Sequence, residues 1–187
     1  FFRTEFLDPR TRKGKVGVKV QVANQTDKER QVRVQAVMTD PKGVDPAGET
    51  VPLTIPPHST GEVDIPLVLS NVKPWSPDNP DLYTLSVEVW DAAGGDHSKN
   101  PAHLLDNRSI RVGVRTVEIT EKGLVLNGSL FPEKLIGGNR HQDFARLGNA
   151  VPNNLQWQDA VKLRKAGMRV IRSAHYPQDP AFMDACD

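Results

Sequence analysis

Valine at every second position between Gly14 and Ala23 constrains the fold of this chain more than any other feature. Val16, Val18, Val20 and Val22 fall on one face of an extended segment, and small or polar residues fall on the other. Side chains of a strand point alternately to its two faces, so a period of two predicts a strand with one buried face.

The same alternation returns at spacings of about ten residues along the first part of the chain. Four further segments predict strands, namely residues 31–39, 63–69, 82–90 and about 107–114. Residues 40–57 are rich in Pro, Gly and Asp, and predict a loop with one short strand near 51–55. Strands at this spacing, over about 100 residues and without a helical period, are typical of an immunoglobulin-like β-sandwich.

Composition disfavours several classes of partner and does not indicate a cellular compartment. The 24 basic and 23 acidic residues nearly cancel, which disfavours nucleic acid and anionic membrane surfaces. No apolar run approaches the ~20 residues of a membrane helix, and the first residues do not form a signal peptide. The single cysteine, Cys186, excludes an internal disulfide. A chain that starts without Met inside a strand-like pattern is expected to be a piece of something longer.

The stretch from Lys134 to Pro177 has a different organisation. Two apolar runs, 135–138 and 168–171, are each followed by a polar cluster that contains a histidine. This histidine is His141 in the first cluster and His175 in the second. The segment between them predicts a helix over about 155–166, because its apolar residues recur at helical spacing. The pattern predicts a strand, a helix and a second strand, with polar groups where each strand stops.

The helix ends and the connecting loop carry their own signals. Asn153 or Asn154 is expected to cap the first helix and Gly167 to end it, and a second helix is expected to begin near Asp179 and Pro180. The loop over 139–154 is too long for a simple connector. Long loops after the strands are where a (β/α)8 barrel builds its site.

Several motifs together resemble glycoside hydrolase family 2, and most of all its β-galactosidases. They are Trp75-Ser76-Pro77-Asp78-Asn79-Pro80, Arg111-Val112-Gly113-Val114-Arg115, Leu126-Asn127-Gly128, Gly138-Asn139-Arg140-His141, Val170-Ile171-Arg172 and His175-Tyr176-Pro177. The resemblance implies a mostly β chain with an immunoglobulin-like β-sandwich over 1–115. A hairpin and the first two βα units of an incomplete TIM barrel would follow over 116–187. The family usually has an aromatic at Val114, an apolar residue at Gly137 or Gly138, and other small residues at Ser173-Ala174.

The resemblance also implies that this chain carries substrate-binding residues of the family but not its catalytic residues. His141, His175, Arg172 and Asn139 would bind the substrate, with the histidines in the −1 sugar subsite. Arg172 would pair with a catalytic carboxylate or brace the barrel floor, and Arg140 would be structural, bonded to neighbouring strands. Retaining hydrolysis needs two carboxyl groups, and the family takes both catalytic glutamates from later strands.

The chain is therefore expected to contain no catalytic residue and to show no hydrolysis. Its glutamates nearest the barrel, Glu121 and Glu133, precede the first barrel strand. The implied partner is a β-galactoside or related carbohydrate, and no cofactor is implied. Two βα units cannot close a barrel, so self-association through the last third of the chain is expected.

Two alternatives use the same residues differently. A divalent ion held by His141, Asp143 and His175 would use three N or O ligands, although sugar recognition explains these residues equally. A non-catalytic carbohydrate-binding or scaffolding module would need exposed aromatic side chains on the sandwich. Trp75 and Trp90 are the candidates for that, but Trp90 lies within a predicted strand and is expected in the core.

Overall fold

The computed structural model describes residues 1–44, 46–92 and 103–187, which form two compact units, Phe1–Phe131 and Pro132–Asp187. The chain is mostly β, as the sequence predicts. The strands of the first unit are β1 (Phe2–Asp8), β2 (Lys13–Asn24), β3 (Arg30–Thr39), β4 (Ala47–Ile55), β5 (Ser59–Leu69), β6 (Tyr83–Asp91), β7 (Leu104–Val112), β8 (Val117–Thr120), β9 (Gly123–Leu126) and β10 (Ser129–Leu130).

Two antiparallel sheets face each other in the first unit, in the strand orders β1-β2-β5 and β4-β3-β6-β7. The alternating residues of the predicted strands line the space between the sheets. The buried residues of this core include Val16, Val18, Val32, Val34, Ala36, Met38, Ile65, Leu67, Leu69, Tyr83 and Leu85. The predicted sandwich is confirmed, and apolar side chains fill most of the described interior, beside the buried amide of Asn24.

Two strands differ from their prediction. β4 begins at Ala47 rather than near 51, because the ladder with β3 runs from Arg30↔Ile55 to Met38↔Ala47. Pairing thus overrides the poor strand propensity of Gly48, and Pro52 is accommodated because β4 is an edge strand. β1 was not predicted, since the register shift between Thr4 and Phe6 breaks its alternation.

The expected core position of Trp90 is wrong. Along β6 the inward side chains are Leu85, Val87 and Val89, so Trp90 points to the opposite face of the sheet. Its ring is half-buried, and its indole N–H donates to Glu88 Oε2 at 3.1 Å. The period of two along β6 indicates the outer face for Trp90, whereas its residue type alone suggests the core.

The predicted Asn-Gly turn is present and is tied to the sandwich. Asn127 and Gly128 have φ values of 52° and 76°, as a two-residue hairpin turn between β9 and β10 requires. The Asn127 side-chain amide donates to the Trp75 carbonyl at 3.0 Å, and its oxygen accepts from the Thr116 N–H at 3.1 Å. A Cβ on Gly113 would come within 3.0 Å of Trp75, so glycine lets the indole pack there.

The second unit contains β11 (Gly137–Arg140), α1 (Asn153–Lys165), β12 (Val170–Ser173) and α2 (Pro180–Cys186). β11 and β12 pair in parallel, which confirms the predicted strand, helix and strand. No helix in the described ranges has the length and apolar character that a bilayer-spanning segment needs.

The helix ends follow the prediction in two of three cases. At the start of α1 the capping position is Pro152, without a side-chain cap, so the predicted asparagine cap is wrong. At its end Gly167 has a φ of 84°, and the N–H groups of Gly167 and Met168 donate back to Arg164 and Leu163. Asp179 caps α2 by accepting the Ala181 N–H at 2.8 Å.

Candidate functional site

The register of two parallel strands brings the predicted site residues together. Asn139 lies directly opposite Arg172, and Arg140 lies opposite Ser173. His141 and His175 follow these strands at their carboxyl ends, where the chain leaves the sheet. Gly137 makes this pairing possible, because any Cβ there would lie 1.6 Å from the Val170 carbonyl oxygen.

Arg172 bridges two of the other predicted site residues. Its Nη1 donates to Asn139 Oδ1 at 3.3 Å, and its Nη2 lies 3.2 Å from His175 Nδ1. A guanidinium has only donors, so Nδ1 of His175 is the acceptor and a neutral ring carries its proton on Nε2. All three side chains are solvent-exposed. The cluster therefore presents N–H donors to a ligand.

The rings of the two histidines and of Tyr176 form one group. His141 and His175 have ring centroids 5.3 Å apart at an interplanar angle of 75°, and Tyr176 lies 6.5 Å from His141 at 71°. The peptide bond between Ala174 and His175 is cis. An edge-to-face arrangement is a favourable contact between aromatic rings. All four predicted substrate-binding residues therefore occur in one exposed cluster.

Gln142 fixes the position of this cluster and was not predicted. Its backbone N–H donates to the Tyr176 hydroxyl at 3.0 Å, and its side-chain oxygen accepts the Asp179 N–H at 2.7 Å. Its amide nitrogen reaches the Asn149 carbonyl at 3.3 Å. The backbone and side chain of Gln142 together contact three other residues, and no spacing in the sequence marks it. The long loop over 139–154 was the only available signal.

Arg140 is structural, although its partners are not neighbouring strands as expected. Its guanidinium is 7% exposed and donates to Gln156 at 2.8 Å and to Asp159 at 2.9 Å, both on α1. It also donates to Gln178, and it stacks 4.0 Å above the Phe182 ring of α2. A buried cation thus joins β11 to both helices and anchors the strand that ends at His141.

Three carboxylates of the second unit have structural partners. Asp159 pairs with Arg140, Asp179 caps α2, and Glu133 pairs with Arg169. Among the described residues, no group of three or more His, Cys, Asp or Glu side chains could hold a metal ion. Cys186 is exposed, and partial desolvation followed by the Asp187 charge raises the pKa of its thiol.

Two family models match the chain. The model described as Glycosyl hydrolases family 2 matches residues 1–115, more than half of the chain. The model described as Glycosyl hydrolases family 2, TIM barrel domain, matches residues 117–187. The sandwich and the βα units thus correspond to consecutive domains of one family.

Curated proteins and solved structures give the same result. A β-galactosidase of Thermoanaerobacter pseudethanolicus is 39% identical over 121 residues, which cover 64% of this chain and 15% of that protein. A putative β-glucuronidase of Formosa agariphila is 31% identical over 157 residues, 83% of this chain and 17% of that protein. A solved structure of a glycosyl hydrolase family 2 member from Bacteroides cellulosilyticus matches with a TM-score of 0.84 and 25% identity. The match covers 100% of this chain and 24% of that protein chain.

Proposed function

The chain belongs to glycosyl hydrolase family 2, and we propose that its second unit is one wall of a sugar-binding site in a retaining β-galactosidase. The observation that carries this proposal is the meeting of His141 and His175 at the carboxyl ends of adjacent parallel strands. In a barrel of this kind, that end of the strands is where substrates bind.

The chemistry of the cluster suits sugar hydroxyls. An imidazole N–H and an amide N–H each donate one directed hydrogen bond, and Arg172 holds His175 and Asn139 so that their remaining polar groups are available. Such bonds stabilise the oxocarbenium-like transition state more than the bound sugar. His141, His175 and Asn139 are therefore proposed to contact the substrate, with Arg172 beside them.

Bond cleavage is proposed to need groups that these 187 residues do not contain. Retention needs two carboxyl groups about 5–5.5 Å apart, whereas Glu133 and Asp159 are each paired with arginine. The chain spans 15% and 17% of the lengths of the two curated relatives. The chain alone is accordingly proposed to bind without hydrolysing.

The galactoside preference rests on the curated relatives, which include β-galactosidases at 39% and 34% identity. The putative β-glucuronidase is less similar, at 31%, although it matches a longer part of the chain. A glucuronide differs from a galactoside in its C6 carboxylate and in the configuration at C4, and a donor-rich cluster beside Arg172 could accept the carboxylate or a hydroxyl group. The two sugars are therefore compared directly in the test.

The test is an NMR titration of the 187-residue chain with galactose, lactose and glucuronate, alongside an assay with aryl β-galactosides. We expect millimolar binding of galactose and lactose, with shifts at the His141 and His175 ring signals, and no turnover. His175→Ala should weaken binding at least tenfold, while the control His58→Ala, on the sandwich, should not. Unshifted histidines would overturn the binding proposal, stronger glucuronate binding would overturn the galactoside preference, and turnover would overturn the absence of chemistry.

A further inference from the structure

The two histidines of the exposed cluster are held in different ways. Nδ1 of His175 lies 3.2 Å from Nη2 of Arg172, and Nη1 of the same guanidinium donates to Asn139 Oδ1 at 3.3 Å. In the described part of the chain, by contrast, neither ring nitrogen of His141 has a hydrogen-bond partner. The neighbours of the His141 ring are the rings of His175 and Tyr176, at centroid distances of 5.3 and 6.5 Å.

This difference determines what each ring can offer to a ligand. A neutral imidazole has one N–H donor and one nitrogen with a single lone pair, and a guanidinium can only donate. Arg172 therefore uses the lone pair of His175, which has only its Nε2–H left for a ligand. His141 keeps both a donor and an acceptor, so of the two rings only His141 can accept a hydrogen bond from a ligand.

Ring packing orients His141 without choosing its tautomer. Its plane is set at 75° to the His175 ring and at 71° to the Tyr176 ring. Edge-to-face packing of this kind depends on the position of the rings, whereas the tautomer is selected by a hydrogen bond to one of the two nitrogens. The proton of a neutral His141 can therefore sit on either nitrogen until a ligand supplies that bond.

We propose that His175 is a fixed donor, that His141 is an adaptable partner whose tautomer the ligand selects, and that Arg172 is the positioning residue for His175. The proposal rests on the proposed function, because it assigns roles within the same sugar-binding wall. Sugar hydroxyl groups suit this pair, since each hydroxyl can both donate and accept. A donor that is oriented before binding also costs less to order than a side chain that must be oriented by the ligand.

The experiment measures ring-nitrogen chemical shifts by NMR in the 187-residue chain, since these shifts distinguish the two tautomers of a neutral histidine. The spectra are recorded at about pH 8, where neutral rings predominate. Arg172→Met removes the donor to His175. Arg169→Met is the matched control, because Arg169 pairs with Glu133 instead. The indole N–H signal of Trp157 on α1 reports whether the second unit of each protein is folded.

In the chain without ligand, His175 should carry its proton on Nε2 and His141 should populate both tautomers. Arg172→Met should raise the Nδ1–H share of His175 about tenfold, because one charge-assisted hydrogen bond is lost, and Arg169→Met should leave it unchanged. A proton on Nδ1 of His175 in the native chain, or no response to Arg172→Met in a folded protein, would overturn the fixed donor. A single tautomer of His141 before any ligand is added would overturn the adaptable partner.

Galactose separates a failure of this inference from a failure of the proposed function. At saturating galactose, His141 should move to a single tautomer while His175 keeps its proton on Nε2. If galactose shifts both ring signals but leaves His141 as a mixture, the adaptable role is wrong although the wall binds sugar. If galactose shifts neither ring, the sugar-binding proposal fails, and the role of His141 toward a sugar fails with it.

Discussion

The two units bury different kinds of side chain. Among the residues that the structure describes, sixteen buried residues make up the apolar cluster of the sandwich, and every one is aliphatic except Met38 and Tyr83. In the second unit the buried side chains include Arg140, Gln156 and Gln178 beside a few apolar residues such as Phe182. The sandwich is stabilised by the non-directional removal of apolar surface from water, whereas the βα unit depends on directed hydrogen bonds around one cation.

This difference has a consequence for how each unit tolerates change. An apolar core loses stability in proportion to the volume removed from it. A buried ion pair fails more abruptly, because removal of one partner leaves the other buried and unpaired. The βα unit, which carries the candidate sugar site, should therefore be the part of the chain that a single polar substitution can unfold.

The largest effect is expected from Arg140→Met. The change keeps apolar bulk near Phe182 but leaves Gln156, Asp159 and Gln178 without their shared donor. Loss of one partner of a buried pair costs about 3–5 kcal/mol, which is comparable with the whole stability of so small a unit. The indole N–H signal of Trp157 on α1 should lose its native position, while those of Trp75 and Trp90 should keep theirs.

The matched control is Arg169→Met, which removes a more exposed partner of Glu133. Exposed ion pairs contribute about 0–1 kcal/mol, so all three indole signals should stay native. If the two variants unfolded the second unit equally, or if Arg140→Met also shifted the sandwich signals, the contrast between the units would be lost.

The same contrast explains how much of the fold could be predicted. Alternating valines predicted β2 and β3 nearly to the residue, because a strand between water and an apolar core must alternate. β1 and the first half of β4 were not predicted, because backbone pairing with β2 and β3, rather than a buried apolar face, keeps these segments extended. A tryptophan within a strand predicts a core position, but the period of two along β6 places Trp90 on the outer face.

In the site, the family motifs located the residues but not their bonds. His141, His175, Arg172 and Asn139 meet because parallel register places Asn139 beside Arg172, and a motif does not state register. Gln142 could not be predicted, since two of its three contacts are with residues 34 and 37 positions away in the sequence. Hydropathy also could not identify the polar centre around Arg140, where burial does not follow apolar character.

A second effect is expected at the exposed apolar residues of the βα unit. Leu135, Ile136 and Val170 flank the two-stranded sheet, and Ile136 is 63% exposed. We propose that the chain self-associates through this surface. Light scattering should therefore show a dimer or larger species that Ile136→Lys weakens more than tenfold, about 1.4 kcal/mol per factor of ten.

The control for self-association is Ile119→Lys, which places the same charge on a more exposed isoleucine in the first unit. It should leave the association unchanged. A chain that stays monomeric at all concentrations, or that responds equally to the two substitutions, would show that the chain does not self-associate through the exposed apolar residues of the βα unit.

The smallest effect concerns a polar contact in the apolar sandwich. The Tyr83 hydroxyl accepts the Lys73 N–H at 2.9 Å, and the Lys73 ammonium donates to Asp40 at 2.8 Å. Burial raises the pKa of the Tyr83 phenol, and the hydrogen bond to Asp40 raises the pKa of Lys73. Because both pKa values are higher in the folded chain, each group contributes stability that is fully present below pH about 10, where the unfolded groups begin to titrate. This stability is lost as the pH rises through the folded pKa values.

Tyr83→Phe removes one of these two contributions and leaves the other. It should cost about 1 kcal/mol at pH 7, the net value of one hydrogen bond, and less at higher pH because the native chain loses the phenol's contribution there. Urea unfolding of the sandwich at pH 7 and pH 11 measures both. A difference between the two proteins that stayed constant with pH would show that the phenol does not titrate differently on unfolding. The sandwich would then be as insensitive to pH at this position as its apolar core.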